Sequence, residues 1–408
     1  MIRDLIVDWD PKYARLKKVK PSLHPKDEFT AETGCLQSPE DFNKYKKYAG
    51  CILCGSCVSE CNKNALNQDD FLDPFAFVKA EKLVADSRSK SPEEHLKAVI
   101  EAGLWRCFNC QECTAKCPKG LDPAGAIEKL KAETFKHHLD DNVGARHAKA
   151  IYDDIQTSGT LDESKLNIKS EGYLMSSLRL PMALRLMNVG KMDPLAKHPV
   201  NPDIKTIDAI VKAAESADKE DAILKEAGHP YAYQGTSDIT HFLWVLDEHP
   251  EILDRKITDA LKGTKVACYY GCHILRPKPQ MHYEEGDYPE SFERLVRRLG
   301  AEPVWFDAGR KCCGFHAQFT AEHDVLTVTG QIAASAAHAQ ANLIATPCPL
   351  CQMQLDMYGP EGRDAVHGET DIPILHLQQL VGLALGMTQE EIGFNRHVFG
   401  RNKLKVGA

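Results

Sequence analysis

Two short runs of cysteine carry the clearest chemistry in this sequence. Each run has the spacing C-x2-C-x2-C-x3-C, and the cysteines are Cys51, Cys54, Cys57 and Cys61 in the first run and Cys107, Cys110, Cys113 and Cys117 in the second. This is the ligand spacing of proteins that hold two [4Fe-4S] clusters, in which the fourth cysteine of each run binds the cluster of the other run. The sequence therefore predicts two cubane [4Fe-4S] clusters that the two runs share.

The crossed arrangement assigns four ligands to each predicted cubane. One cluster takes Cys51, Cys54, Cys57 and Cys117, and the other takes Cys107, Cys110, Cys113 and Cys61. Structural zinc is the alternative, but zinc sites usually combine two separated C-x2-C pairs. Two tight runs of four cysteines favour iron-sulfur clusters over zinc.

A further group of cysteines lies in the last third of the chain. Strands are predicted at 265–270, 303–306, 343–346 and 372–375, with helices at 288–299 and 321–341. This alternation predicts a parallel α/β sheet, in which ligands bind beyond the carboxyl ends of the strands. Five cysteines follow the first three strands at that edge, namely Cys272, Cys312, Cys313, Cys348 and Cys351.

Several stretches of the first 140 residues carry a family resemblance, together with the cysteine runs. They are residues 3–8, 36–41, 51–54, 85–88 and 117–123. This part resembles the helical half of the succinate dehydrogenase/fumarate reductase iron-sulfur subunit. The sequence departs from that family because it has no plant-type [2Fe-2S] domain upstream. Cys110 also completes a run that in the family usually lacks one cysteine and holds a three-iron cluster, a feature closer to the C subunit of heterodisulfide reductases. Asn62 follows Cys61 where proline is usual, which we expect to matter little.

The C-terminal cysteines carry a second resemblance. Tyr270-Gly271-Cys272, Cys312-Cys313-Gly314 and residues 348–351 and 374–386 are similar to the CCG domain of the heterodisulfide reductase B subunit. The resemblance implies that the five cysteines hold one non-cubane [4Fe-4S] cluster, with Gly314 allowing close backbone approach. The B subunit of that family has two such domains, whereas this chain has one.

Two alternatives remain open for these five cysteines. A zinc ion bound by Cys348, Cys351 and two of the others would leave one cysteine unused. A redox dithiol at Cys348 and Cys351 is disfavoured because this C-x2-C does not open a thioredoxin-like chain. We expect Cys268 to be a buried spare thiol and Cys35 to be a buried small apolar side chain.

Composition limits the class of protein. The chain has 408 residues, 43% of them hydrophobic, with a net charge of −8 and 15 cysteines. The negative charge argues against nucleic acid as a partner. The N-terminus has no apolar segment of a secretion signal, so we expect a cytoplasmic protein with metal-bound cysteines and without disulfides. No apolar run reaches the ~18 residues of a spanning helix, so a partner subunit would supply any membrane anchor.

The predicted fold class is α+β and multidomain. We predict an N-terminal extension (1–48), an all-helical two-cluster ferredoxin domain (49–140), a helical connector (141–262), an α/β CCG domain (263–390) and a C-terminal tail (391–408). Helices are predicted from Pro39 with Ser38 as N-cap, at 73–87, and at 92–102 with Ser91 as N-cap and Glu94 completing a capping box. Further helices are predicted at 144–155, 181–189, 203–227 and 239–246 in the connector.

These features predict an iron-sulfur electron-transfer subunit of a larger oxidoreductase complex. The expected partners are other redox subunits, namely a flavoprotein and a quinone-linked membrane subunit. The electron partner could be a fumarate reductase flavoprotein or an aromatic acyl-CoA reductase. The alternative is a catalytic subunit that reduces a disulfide or oxidises thiols at the C-terminal cysteines; no catalytic residue is predicted. Basic residues flank that site, and we expect solvated charges at Arg276, Lys278, Arg310 and Lys311.

Overall fold

The chain folds into two compact units. The computed structural model describes residues 8–193, 199–206, 209, 239–254, 256–276, 281, 283–369 and 371–406. One unit combines residues 1–141 with 249–408, and the other comprises residues 142–248. All the cysteines therefore lie in the first unit. The five domain ranges given above remain predictions.

The N-terminal part of the first unit is helical. Its helices are α1 (Asp10–Lys18), α2 (Pro39–Ala49), α3 (Ser56–Ser59), α4 (Asn62–Leu66), α5 (Pro74–Val84), α6 (Pro92–Glu101), α7 (Glu112–Ala115) and α8 (Pro123–Lys136). The predicted helices from Pro39, at 73–87 and at 92–102 are confirmed as α2, α5 and α6. Each has proline in its first turn, where the missing N–H costs nothing.

The two predicted N-caps have different outcomes. Ser38 accepts a hydrogen bond from the Asp41 backbone N–H at 3.0 Å and caps α2 as predicted. Ser91 lies at the N-cap of α6 as predicted, but its side chain makes no cap hydrogen bond, so the predicted capping box with Glu94 is wrong. Its φ of −139° and ψ of 66° instead let the Ser91 carbonyl accept from Glu94 N–H at 3.1 Å.

Helix α5 is the centre of this helical core. Phe75, Phe77 and Leu83 are buried, and α5 packs against α2, α6 and α8. The core contains both aromatic rings and cysteines, since Cys57, Cys61 and Cys113 belong to the same buried cluster. The helices therefore hold parts of the two cysteine runs against one apolar core.

Glu81 of α5 gives this core a predicted pH dependence. Its side chain is buried, one carboxylate oxygen has no hydrogen-bond partner, and burial raises its pKa from 4.5 to about 7. A raised carboxyl pKa stabilises the fold while the group is protonated, and this stabilisation is lost as pH rises from about 4.5 to about 7, a change on the order of 3 kcal/mol. We expect Glu81→Gln to raise the anaerobic melting temperature by several degrees at pH 8 and by less at pH 6.

The control for this prediction is an exposed glutamate on the facing helix. Glu128 of α8 is exposed, so Glu128→Gln should leave the melting temperature unchanged at both pH values. An equal shift for Glu81→Gln at pH 6 and pH 8 would contradict the role given to burial.

The second unit is helical where the structure describes it. Its helices are α9 (Val143–Ser158), α10 (Glu163–Ser177), α11 (Leu180–Asn188) and α12 (Phe242–Glu248). Helices α9 and α10 pack together, and Gly172, with φ 79° and ψ 170°, breaks α10. The predicted helices at 144–155, 181–189 and 239–246 are confirmed, with different ends. The predicted helix at 203–227 falls largely outside the described residues.

The C-terminal part of the first unit contains a small parallel sheet. Its strands are β1 (Lys265–Cys268), β2 (Glu302–Val304), β3 (Leu343–Thr346) and β4 (Ile374–His376), in the order β2-β1-β3-β4. Cys268 pairs with Ala345 and Thr346 pairs with His376 in the parallel ladders. All four predicted strands and the parallel sheet are confirmed; only β3 has the predicted ends.

Helices surround this sheet. They are α13 (Ser291–Arg298), α14 (Glu322–His338), α15 (Pro349–Met357), α16 (Gly359–Ala365) and α17 (Leu377–Ala384). Helix α14 approaches α16 closely, because a Cβ at Gly330 would lie only 2.1 Å from the carbonyl oxygen of Gly362. Helices α13 and α14 were predicted with longer bounds, whereas α15 and α16 were not predicted. The architecture is thus mixed helical with a small parallel sheet.

No helix among the described residues is long and apolar enough to cross a bilayer.

Candidate iron-sulfur sites

The first cavity collects four cysteines from both runs. The cysteines that line it are Cys51, Cys54, Cys57 and Cys117. Phe75 and Val78 of α5 and Leu121 supply apolar wall. The predicted crossed set therefore surrounds one cavity, and four sulfur donors around it fit an iron-sulfur cluster. Cys54 is exposed, so this cavity lies near the surface.

The second cavity collects the other four cysteines. Its cysteines are Cys61, Cys107, Cys110 and Cys113. Phe71, Phe108 and Ile127 line it as well. Three of its four cysteines are buried, so this site is more enclosed than the first.

The two runs fold in the same way, which explains why the thiols converge. The residue before the second cysteine of each run is left-handed, with φ 57° at Leu53 and 54° at Asn109. The residue after that cysteine is also left-handed, with φ 86° at Gly55 and 62° at Gln111. The third cysteine then lies in a one-turn helix, α3 or α7. Only Gly55 adopts this conformation without steric cost, so three non-glycine residues hold a less favourable backbone at the sites.

Burial favours the protonated form of several of these thiols. It raises the pKa of Cys57 to about 12 and that of Cys110 to about 12. A metal centre supplies the positive charge that a buried thiolate needs, and binding releases the thiol proton. Two N–H groups also point at sulfur, from Asn62 Nδ2 to Cys110 Sγ at 3.6 Å and from Asn109 N to Cys107 Sγ at 3.4 Å. Asn62, expected to matter little, thus contacts a site cysteine.

The five C-terminal cysteines form one continuous sulfur group. Cys272 Sγ lies 3.8 Å from Cys312 Sγ. Cys313 and Cys351 belong to the same buried cluster as these two cysteines, and Cys348 packs against it. The structure therefore brings all five together beyond the carboxyl ends of β1, β2 and β3, as the sequence predicted.

Two glycines make room for this group. Gly271 has φ 80°, and a Cβ there would lie 3.1 Å from Cys351 Sγ. Gly314 also has φ 80°, and its N–H donates to Cys312 Sγ at 3.4 Å. Both positions combine a left-handed backbone with close packing, which favours glycine.

The pKa values of these thiols shift in opposite directions. Hydrogen bonding from Cys312 lowers the pKa of Cys272 to about 6, and contacts with Cys312 and Cys351 hold the pKa of Cys313 well below its usual value. The pKa values of Cys312 and Cys351 are raised by the same contacts. Two thiolates thus form readily among the five thiols, which fits a metal-thiolate centre.

The second cavity and the sulfur group belong to one apolar core. Phe108, Cys110, Cys272 and Cys312 all belong to the same buried cluster. Cys312 Sγ lies 3.7 Å from the Phe108 carbonyl oxygen, and His273 Nε2 lies 2.7 Å from the Asn109 carbonyl oxygen. The second cysteine run is therefore in direct contact with the C-terminal cysteine site.

Two ion pairs cross this contact. Arg276 Nη2 lies 2.7 Å from Glu112 Oε2, and both residues are buried, with exposed fractions of 6% and 7%. Lys116 Nζ lies 2.5 Å from Asp287 Oδ1 and is more exposed. The expectation of a solvated charge is wrong for Arg276, because the fold buries it in an ion pair with Glu112 of the second cysteine run.

The remaining flanking residues have other surroundings. Arg310 lies over the ring of Tyr288, 5.7 Å from its centroid, and Lys311 is exposed. Lys278 lies outside the described residues. Cys268 is buried in β1, as expected, whereas Cys35 is only half-buried. Cys268 and Cys35 line neither cavity.

The apolar residues that line the two cavities differ in exposure. Phe108 is buried, whereas Ile52 is 61% exposed although it lines the first cavity. Sequence reasoning missed the contacts of Glu112, Asn62 and His273. Asn62 is adjacent to Cys61 and His273 is adjacent to Cys272, so their positions beside ligand cysteines could have indicated contacts with the sites.

Comparisons with known proteins confirm both resemblances. A family model described as a 4Fe-4S dicluster domain matches residues 47–121, and one described as a cysteine-rich domain, CCG, matches residues 266–356. The B subunit of a ferredoxin/F420H2-dependent CoB-CoM heterodisulfide reductase from Methanosarcina acetivorans is 32% identical over 178 residues, which is 43% of this chain and 58% of that protein.

Two relatives from Wolinella succinogenes are more similar. The 8-methylmenaquinol:fumarate reductase membrane anchor subunit is 45% identical over 173 residues, 42% of this chain and 61% of that subunit. The iron-sulfur subunit of the same name is 43% identical over 224 residues, 54% of this chain and 70% of that subunit. The chain is therefore an iron-sulfur electron-transfer subunit that belongs to the family of fumarate reductase iron-sulfur subunits.

Proposed function

We propose that this chain links a fumarate-reducing flavoprotein to a quinol of the menaquinol class through three iron-sulfur sites. The observation that carries the proposal is the shared core of the second cavity and the C-terminal cysteines, with Phe108 and Cys110 packed beside Cys272 and Cys312. Electron transfer needs redox centres that are close together and shielded from water. A core that contains cysteines of both sites supplies this proximity.

The proposed ligand sets follow the cavities and the sulfur group. They are Cys51, Cys54, Cys57 and Cys117 for one cubane, Cys61, Cys107, Cys110 and Cys113 for the second, and Cys272, Cys312, Cys313, Cys348 and Cys351 for a non-cubane cluster. When bound, the clusters supply one-electron storage and transfer. The chain positions the thiolates, donates N–H groups to sulfur and excludes water with Phe108.

The first site offers a face for a redox partner. Cys54 and Ile52 are exposed, whereas the second cavity is enclosed. The exposed Cys54 lets the redox centre of a partner approach this site closely, which the enclosed second cavity does not allow. We propose that a flavoprotein docks here, at the end of the relay opposite the C-terminal cysteines.

The chain combines features that the Wolinella relatives carry in two subunits. Its matches to the iron-sulfur subunit and to the membrane anchor subunit span 224 and 173 residues of the 408. We propose that the dicluster part corresponds to the first relative and the CCG part to the second. Quinol oxidation would then take place near the CCG site of this same chain, in a complex associated with the membrane.

The similarity to a heterodisulfide reductase B subunit supports a second candidate function. In this alternative, the C-terminal cysteines would reduce a disulfide or oxidise thiols. The single CCG match favours the relay, because one domain provides one such site.

Iron analysis and electron paramagnetic resonance test the relay. Anaerobically purified protein should contain about twelve iron atoms per chain, the content of three four-iron clusters. A short-chain menaquinol should reduce the clusters, and a thiol should leave the CCG-site signal unchanged. A content of about four iron atoms, or zinc at the C-terminal site, would contradict the three-cluster proposal, and a thiol-dependent CCG signal would favour the second candidate.

A further inference from the structure

Lys63 of α4 is a buried cation beside the second cavity. Only 1% of the residue is exposed, although lysine is almost never fully buried unless it is paired. Among the described residues that line the second cavity, it is the one whose side chain carries a positive charge. The ligand sets of the proposed relay give this cation no role.

Three oxygen atoms hold the Lys63 ammonium in place. Its Nζ lies 2.5 Å from Asp70 Oδ1, 2.9 Å from Asp324 Oδ2 and 3.1 Å from the Asn67 carbonyl oxygen. These acceptors match the three N–H groups of an ammonium. Nζ also lies 5.7 Å from the ring centroid of Phe71, which lines the same cavity. The contacts therefore fix the cation close to the second site and away from solvent.

The C-terminal part of the first unit takes part in holding this cation. Asp324 is 5% exposed and lies in the first turn of α14, where the helix N-terminus favours a negative charge. Helix α14 also packs against α4, the helix of Lys63. The position of the cation therefore depends on both cysteine-containing parts of the unit.

The charges around Lys63 balance in number but not in position. Arg106 also pairs with Asp70, so two cations and two carboxylates form one network that includes Asp324. Each cation lies within two residues of a cysteine of the second site, whereas neither carboxylate is among the described residues that line this cavity. The positive side of the network thus faces the second site.

We propose that Lys63 raises the reduction potential of the second cubane. One-electron reduction adds one negative charge at this site, and a nearby cation stabilises that charge. Because Lys63 is buried, salt and water screen its charge much less than that of an exposed residue. An electron is thereby favoured at the second site, which is in contact with the C-terminal cysteines. The inference rests on the proposed function, since it requires a cubane in the second cavity.

Redox titration of the anaerobically purified full chain, followed by electron paramagnetic resonance, tests this role. At a fixed potential, Lys63→Met should lower the ratio of reduced to oxidised second cubane about tenfold, which is about 59 mV for one electron. Asp324→Asn should raise the same ratio, because it removes a negative charge and leaves Lys63 paired with Asp70. A residue that only supported the fold would not give shifts of opposite sign. The couple of the second cubane is identified as the one that changes in Cys110→Ser.

Lys119→Met is the matched control at the other dicluster site. Lys119 lines the first cavity but is exposed, so its removal should shift the first cubane by much less than the shift in Lys63→Met. An unchanged second couple in Lys63→Met, or shifts of the same sign in Lys63→Met and Asp324→Asn, would overturn the inference. If Lys63→Met does not retain the cubane, Asp324→Asn decides, and an absent or downward shift there overturns the inference.

The iron content of the parent separates this inference from the relay. About twelve iron atoms per chain together with unshifted couples would refute the role of Lys63 alone. About four iron atoms in the parent would refute the relay itself, and the role of Lys63 with it.

Discussion

Cys312→Ser should remove the iron-sulfur cluster of the C-terminal site and leave the two dicluster sites loaded. Cys312 lies between Cys272 and Cys313, so its loss separates Cys272 from the other three cysteines of the group. Serine oxygen is a harder and less acidic ligand than thiolate and binds iron-sulfur clusters poorly. We expect iron to fall from about twelve to about eight atoms per chain, the content of two four-iron clusters. The signals of the dicluster sites should persist in electron paramagnetic resonance spectra.

Cys268→Ser is the matched control for this prediction. Cys268 is also buried, lies at the end of β1 four residues before Cys272, and its Sγ lies near the Val266 carbonyl rather than near another cysteine. This variant should keep the full iron content and the C-terminal signal. Full iron in Cys312→Ser would refute the ligand set, and selective loss of C-terminal iron in Cys268→Ser would instead make Cys268 a ligand.

The sequence predicts those parts of the site that depend on local spacing. The crossed sets around the two cavities follow from the C-x2-C-x2-C-x3-C pattern, since each run folds through the same two left-handed positions. The position of Cys272, Cys312 and Cys348 follows from the order of strands, because each of these cysteines comes soon after a strand of a parallel sheet. In both cases, nearby residues determine where the thiol lies.

The contact between the two cysteine sites depends on distant residues and could not be predicted. Nothing near Glu112 or Arg276 in the sequence indicates that the two side chains pair. Charged side chains are usually exposed to solvent, so the sequence predicts a solvated Arg276. Ser91 shows the same limit at a smaller scale: it occupies the predicted N-cap position, but its φ and ψ do not bring its side chain onto the N–H groups of the first turn.

Arg276→Met should destabilise the first unit more than removal of any exposed charge. The substitution leaves the Glu112 carboxylate buried without its partner, and breaking a buried pair in this way costs about 3–5 kcal/mol. Burial already raises the pKa of Glu112, which shows that the site disfavours an unpaired carboxylate. The anaerobic melting temperature should fall by on the order of 10 °C. Because the pair joins the second cysteine run to the C-terminal site, magnetic coupling between the two sites should also weaken.

Lys116→Met separates this effect from a general loss of positive charge. Lys116 pairs with Asp287 across the same contact, but both side chains are more exposed, and such pairs contribute about 0–1 kcal/mol. Its melting temperature should therefore stay within a few degrees of the parent. The double variant Arg276→Met/Glu112→Leu should recover most of the lost stability, because it replaces the buried pair by apolar side chains. If the coupling between the sites recovers with it, packing alone holds the two cysteine sites together; if stability returns without coupling, the ion pair itself positions them. Equal losses in Arg276→Met and Lys116→Met would contradict the special role of the buried pair.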